Sequence, residues 1–173
     1  NYSVLDDNQE IAFLLRHGWS MGLHTGGSYS NCCREFLRTV NMAWDELLDE
    51  KELNKRAPEF FRKQKHYEDL LKQHRLLTFG RIIFEAVLKL RDAPDTLSKV
   101  KYLLVDEYQD INSAQAELIE YIGKNASIFV VGDPRQSIYQ WRGSDERFFA
   151  SFSDKFPETK QISINENRRS GKR

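Results

Sequence analysis

Two short apolar runs, YLLV at 102–105 and IFVV at 128–131, constrain this chain more than any other feature of its 173 residues. Each has the length and continuity of a strand buried on both faces. Between them, residues 112–122 read as a helix. Asn112 or Ser113 supplies the cap, Leu118 and Ile119 face inward, and Gly123 stands near the C-terminal end. A β–α–β unit of this kind predicts two parallel strands joined by a right-handed crossover. The fold class expected is therefore α/β.

In a parallel α/β sheet, ligands collect at the carboxyl ends of the strands. Asp106 and Glu107 follow the first run, and Gly132 and Asp133 follow the second. Both pairs are expected at one edge. An Asp there suits Mg²⁺, because hard cations prefer carboxylate oxygens. A neighbouring Glu can orient or deprotonate a water that attacks a phosphate. Acids just past a strand also serve simply to solvate a turn, and that reading stays open for either pair alone. The second site continues as VVGDPRQSIYQWRGS, 130–144. Gly132 and Pro134 shape a tight turn. Gln136 and Ser137 suit a phosphate oxygen or a metal-bound water. Tyr139, Trp141 and Arg142 set aromatic surface beside a cation, a combination that single-stranded nucleic acid uses for stacking and backbone contact. The two aromatics fit a core role as well.

The first half of the chain has a different character. Residues 1–17 read as a helix capped at Asp6 or Asp7, and GWSMGLHTGGSYSN, 18–31, as a flexible loop. A short helix through Phe36, Leu37 and Val40 follows, then an amphipathic helix over 43–55 that ends before Pro58. Residues 59–76 are helical and charged. Thr78 caps a further helix with Ile82, Ile83, Ala86, Val87 and Leu90 on its apolar face, ended by RDAPD at 91–95. Trp19 and Trp44 read as core or packing residues, and Cys32 and Cys33 as packing residues too. Adjacent cysteines cannot form a disulfide framework, so a reducing, cytoplasmic setting is expected.

Composition excludes little more. At 40% hydrophobic and 30% charged, the chain reads as globular rather than disordered. No apolar run approaches the roughly 20 residues of a membrane span, and no signal peptide opens the chain, so no membrane partner is expected. Net charge is zero, but residues 51–75 carry eight Lys/Arg against four Asp/Glu.

DEYQD at 106–110 followed by GDPRQSIYQWRGS at 132–144 resembles motifs II and III of the UvrD/Rep/PcrA-type superfamily 1 DNA helicases. A helix bearing Gln115 joins them, as in that family. ISINENRRS, 162–170, is similar to the start of motif IV, usually Asn-Tyr-Arg-Ser after a hydrophobic strand. YSVLDDNQEIAFLL, at the start, resembles the stretch after the family's early motifs. LTFGRII resembles its Leu-Thr-Phe-Asp-Asp-Leu element, with Gly80 and Arg81 in place of the acids.

The resemblance implies a partial RecA-like P-loop NTPase sheet over residues 77–173 and a mostly helical insertion subdomain over 1–76. It implies ATP-dependent DNA unwinding and translocation on single-stranded DNA, with ATP and Mg²⁺ as cofactors. Asp106 would bind the metal together with Glu107, which would also activate the hydrolytic water. Gln136 would sense the γ-phosphate, and Arg169 would act as an arginine finger. Trp141 would stack on a base, supported by Tyr139 and Arg142. Gln109 and Asp110 would couple the nucleotide and DNA sites. Basic residues of the insertion, such as Lys63 and Lys65, would meet duplex phosphates at a duplex/single-strand junction; the alternative for each is an i,i+4 ion pair on a solvated face. Arg168 stands where the family usually has a Tyr stacked on adenine, a contact a guanidinium can also make. No G-x-x-x-x-G-K-[ST] phosphate loop occurs in the sequence. The chain is thus expected to be a piece of a helicase, partnered by a second RecA-like domain. The alternative is a non-catalytic, helicase-derived binding or interaction module.

Overall fold

The computed structural model describes residues 2–24, 27–136, 148–149, 151–164 and 166. Its elements run β1 (Ser3–Leu5), α1 (Asp7–His17), α2 (Tyr29–Asp45), α3 (Glu50–Arg56), α4 (Pro58–Gln73), β2 (Leu76–Thr78), α5 (Phe79–Asp92), β3 (Tyr102–Val105), α6 (Ser113–Gly123) and β4 (Ser127–Val130). The protein is mixed α/β, mostly helical, with two small parallel sheets. In one, β1 pairs with β2, Ser3 opposite Leu76; in the other, β3 pairs with β4, Tyr102 opposite Ser127.

Local chemistry fixes most helix starts. Asp6 accepts the Gln9 N–H at 2.8 Å while the Gln9 side chain accepts the Asp6 N–H at 3.0 Å, a reciprocal capping box. Asn112 and Gln115 repeat the device at the head of α6. Thr78 Oγ1 accepts the Arg81 N–H at 3.3 Å, as its position predicts.

The first core is built by α1, α2, α4 and α5. Leu14, Cys33, Val40, Trp44 and Tyr67 are essentially inaccessible at its centre, and Phe84 joins from α5. Arg81 spans the same seam: its guanidinium lies 5.2 Å over both Trp44 and Phe84, with Nη1 2.8 Å from Glu68. Gly80 beside it fits because a Cβ there would sit 3.0 Å from Asn41 Oδ1.

Several expectations need correction. Residues 3–5 form a strand before the first helix, because β2 offers them a ladder. The helices expected at 36–40 and 43–55 are divided elsewhere. One long helix, α2, runs to Asp45; Leu47 then adopts φ 51, and Asp49 caps α3 by accepting the Glu52 N–H. Residues 18–24 are a set of hydrogen-bonded turns rather than an open loop. Trp44 is buried as expected, but Trp19 is 63% exposed. Strands β3 and β4 are not covered on both faces. Leu103, Val105, Ile128 and Val130 pack on Tyr108, Ile111, Ala116 and Ile119. The other face leaves Tyr102 at 73%, Leu104 at 74% and Phe129 at 59% exposure. Among the described residues, no helix is long and apolar enough to cross a membrane.

Candidate functional site at the carboxyl edge of β3 and β4

The register places Val105 opposite Val130, so the residues leaving both strands emerge side by side. The ladder runs one step further: the Val131 N–H donates to Val105 O, and the Tyr108 N–H to Val131 O, both at 2.9 Å. To turn there, Glu107 adopts left-handed geometry, φ 50 and ψ 43. A non-glycine residue seldom does so without support. Support comes from Asp106 Oδ1, which accepts the Glu107 N–H at 2.9 Å, and from the buried turn Tyr108–Asp110.

Gln109 ties the two strand exits together. It is 2% exposed. Its Nε2 donates to Glu107 Oε2 at 2.6 Å and lies 3.3 Å from Asp110 Oδ2, while its Oε1 accepts the Asp133 N–H at 2.9 Å. The amide can point only one way, since reversal would set NH₂ against a backbone N–H and oxygen against two carboxylates. Gly132 permits the approach: a Cβ there would stand 2.6 Å from Gln109 Oε1 and 2.9 Å from the Phe149 ring.

Asp133 is held in turn. Its Oδ2 accepts from Gln136 Nε2 at 2.8 Å and its Oδ1 from the Arg135 N–H at 3.0 Å. The Gln136 bond, then the Arg135 N–H, draws its carboxyl below the ordinary range. Gln136 is therefore within one side chain of the Asp106–Glu107 edge through Asp133 and Gln109.

The donor set suits Mg²⁺ in the manner of nucleotide enzymes. Asp106 and Glu107 are exposed, and Mg²⁺ takes one or two carboxylates while water and substrate phosphates fill its octahedron. Among the described residues, no group of three or more His, Cys, Asp or Glu could hold a metal by itself. Asp110 Oδ1, buried without a hydrogen-bond partner, leaves one more acceptor in this edge.

The basic residues singled out from the sequence sit on α4, away from this edge, and are already paired. Lys63 meets Glu59 at 2.8 Å; Lys65 meets Glu50 at 2.5 Å and Glu68 at 3.0 Å. Partial burial pulls the Lys65 pKa down, but its bonds to Glu50 and Glu68 outweigh that and raise it. Tyr139, Trp141, Arg142, Arg168 and Arg169 lie outside the described residues. One contact had no signal in the sequence: Ser113, first residue of α6, donates to Glu46 at 2.7 Å and ties that helix to the end of α2.

A parallel β–α–β unit with an acid pair at one strand exit and Asp133 at the other, joined by a buried Gln, lies at the sheet edge where α/β folds gather ligands. Comparison with known proteins gives the family. The family description "UvrD/REP helicase N-terminal domain" matches residues 12–157, and the chain belongs to that family. It is 33% identical over its whole length to the ATP-dependent DNA helicase Rep of Buchnera aphidicola, of which it covers 26%. It is 34% identical, over 80% of its length, to the ATP-dependent DNA helicase PcrA of Staphylococcus epidermidis, covering 20% of that protein. It is 39% identical, over 62% of its length, to Rep of Escherichia coli, covering 17% of it. The chain thus spans about a quarter or less of the length of these relatives.

Proposed function

We propose that this chain is part of an ATP-dependent DNA helicase and supplies the metal and water side of its ATP site. The observation that carries the reading is the Gln109 bridge, which joins the acid pair of one motif to the Asp133–Gln136 pair of the other at a single strand edge. The relatives, ATP-dependent DNA helicases by name, point to ATP and DNA as the substrates. In this reading β3 and β4 are two strands of a RecA-like sheet. Residues 1–76 form the insertion, facing a duplex/single-strand junction. Further protein, including a phosphate loop and a second motor domain, covers the exposed face of Tyr102, Leu104 and Phe129.

The chemistry follows from the residues present. Bound Mg²⁺ would offset charge on the phosphates, and Asp106 with Glu107 would hold it. Glu107 accepts the proton of the attacking water. Gln109 donates to one of its oxygens, which fixes the carboxylate and leaves the other oxygen to the water. Gln136 senses the γ-phosphate by exchanging its bond to Asp133 for one to the phosphate. Arg169 stabilises charge on the transferred group, and Arg168 stacks on adenine. Trp141, with Tyr139 and Arg142, holds a base of the tracked strand. Lys63 and Lys65 bind duplex phosphates by giving up their carboxylate partners.

The test is Glu107→Gln in the intact protein. DNA-stimulated ATP hydrolysis should fall by about two orders of magnitude or more, with nucleotide affinity retained. Near-normal turnover in that variant would remove Glu107 from the reaction.

A further inference from the structure

The turns after α1 form a rigid mount. The Gly18 N–H donates to Leu14 O at 2.6 Å, and Met21 and Leu23 both donate to Gly18 O at 3.1 Å. Gly18 admits no side chain, because a Cβ would meet Leu14 O at 2.8 Å and the Tyr29 hydroxyl at 3.1 Å. Met21 and Leu23 anchor the segment, each almost fully buried in the first core. What this mount presents outward is an indole. Trp19 is 63% exposed. The His24 ring stacks on it at 4.3 Å and 17°, and Tyr29 braces it edge-on at 5.7 Å.

We propose that the Trp19–His24 pair is a stacking shelf for a base of single-stranded DNA, separate from the Tyr139–Trp141 segment. The inference rests on the helicase reading above. The shape of the shelf selects the ligand. Two near-parallel rings extend best by a third flat π system, and every base has one. The surroundings argue against a protein partner. Gly18, Ser20 and Gly22 bring no apolar side chain, and Met21 and Leu23 are turned inward. The exposed indole by itself falls far below the roughly 800 Å² per side of a stable protein interface. Cations flank it. Arg16 is exposed in the last turn of α1. Lys63 approaches the same turns, its side chain 19% exposed and its Cε 3.9 Å from where a Gly22 Cβ would stand. The Glu59 partner of Lys63 is 71% exposed, and such a pair yields readily to a phosphate. A base on Trp19 would thus carry its backbone toward Arg16, or toward Lys63 in place of the duplex phosphate proposed for it above.

The intact protein should be irradiated with an oligothymidylate carrying one 5-iodouracil, and the crosslink mapped by mass spectrometry. The expected attachment is Trp19, within the tryptic peptide 17–34. Trp19→Ala should weaken single-strand affinity at least about fivefold and Trp19→Phe by less, the range of one lost base–aromatic stack. The melting temperature should not change, because the side chain is exposed. DNA-stimulated ATP hydrolysis by the wild type, with no Trp19 crosslink and unchanged affinity in Trp19→Ala, overturns the shelf and leaves the helicase reading standing. Absence of any single-strand binding by the wild type overturns both. Loss of self-association in Trp19→Ala, with DNA affinity intact, assigns the surface to a protein contact and also overturns the proposal.

Discussion

The side-chain oxygen of Gln109 accepts the backbone N–H of Asp133 at 2.9 Å, while its nitrogen holds Glu107 at 2.6 Å. A single buried amide therefore sets the distance between two loops that are 24 residues apart in the chain. Replacing it by Ala leaves the Asp133 N–H without its acceptor and frees Glu107. Gln109→Ala should cost about 1–3 kcal/mol of stability, the range for an orphaned buried polar group. In the role proposed for Glu107, turnover should fall more than nucleotide affinity, because the carboxylate loses its positioning bond rather than being removed. Denaturant unfolding and steady-state ATP hydrolysis on the intact protein check this; equal losses in kcat and nucleotide binding would mean the bridge only maintains the fold.

Gly132→Ala attacks the same bridge from the other side. The new methyl would stand 2.6 Å from Gln109 Oε1 and 2.9 Å from Phe149, so one or both must move. The expected cost is about 1–3 kcal/mol, as for other overpacked sites. Combined with Gln109→Ala, the two changes should be clearly less than additive, because removing the Gln side chain relieves part of the clash. Strict additivity in a double-mutant cycle would show that Phe149, not Gln109, bears the strain.

Much of this edge was legible from the residues. Period and capping chemistry place α6 between β3 and β4, and the strand-end rule brings Asp106, Glu107 and Asp133 together. The two-sided burial of the strands was misjudged because a continuous apolar run shows only that both faces are apolar. It does not say which face this stretch of chain covers, and Leu104 and Phe129 are left bare. The break at Leu47 could not be read either: its φ of 51 carries no glycine, and the long-range pull of Glu46 on Ser113 has no local pattern. Trp19 reads from its type as a core or packing residue, yet it is 63% exposed. Its exposure depends on how Met21 and Leu23 anchor the turns around it.

Glu68 is the acid on which the helical half converges. Trp44 Nε1, Gln64, Lys65 and Arg81 all approach it, and it is nearly buried. Burial alone would raise its pKa, yet Arg81 beside it, with Gln64 and Lys65, holds it below the ordinary range. Arg81 Nη1 reaches Glu68 by charge but has no hydrogen bond of its own, while Nη2 pairs with Glu85 at 2.5 Å. Glu68→Gln should therefore destabilise by roughly 1–3 kcal/mol, the range for lost charged hydrogen bonds, since Arg81 keeps Glu85 and Lys65 keeps Glu50. Pairing Glu68→Gln with Arg81→Met should recover part of the loss in equilibrium unfolding. No recovery would show that Arg81 stays held by its Glu85 pair and by Trp44 and Phe84 when Glu68 loses its charge.

His17 gives the fold a measurable pH dependence near neutrality. Burial, then the neighbouring His74 ring and Arg16, pushes its pKa below the ordinary 6.5. The rings lie 5.1 Å apart, and Phe13 packs on both. With the folded value lowered, the unfolded chain binds the proton more readily. Stability should therefore be fully present above about pH 6.5 and decline as the pH falls below it. Glu68 adds a loss of the same sign, but only in and below the carboxylate range. The buried Glu10, whose pKa burial raises, has the opposite sign: its contribution falls as pH rises through that range. The window from pH 7.5 to 5.5 lies above the range in which Glu68 acts, and His17→Gln separates the histidine from Glu10 within it. His17→Gln should flatten the stability profile there while leaving the acid limb below pH 5 intact. An unchanged slope between pH 7.5 and 5.5 would remove His17 as its source.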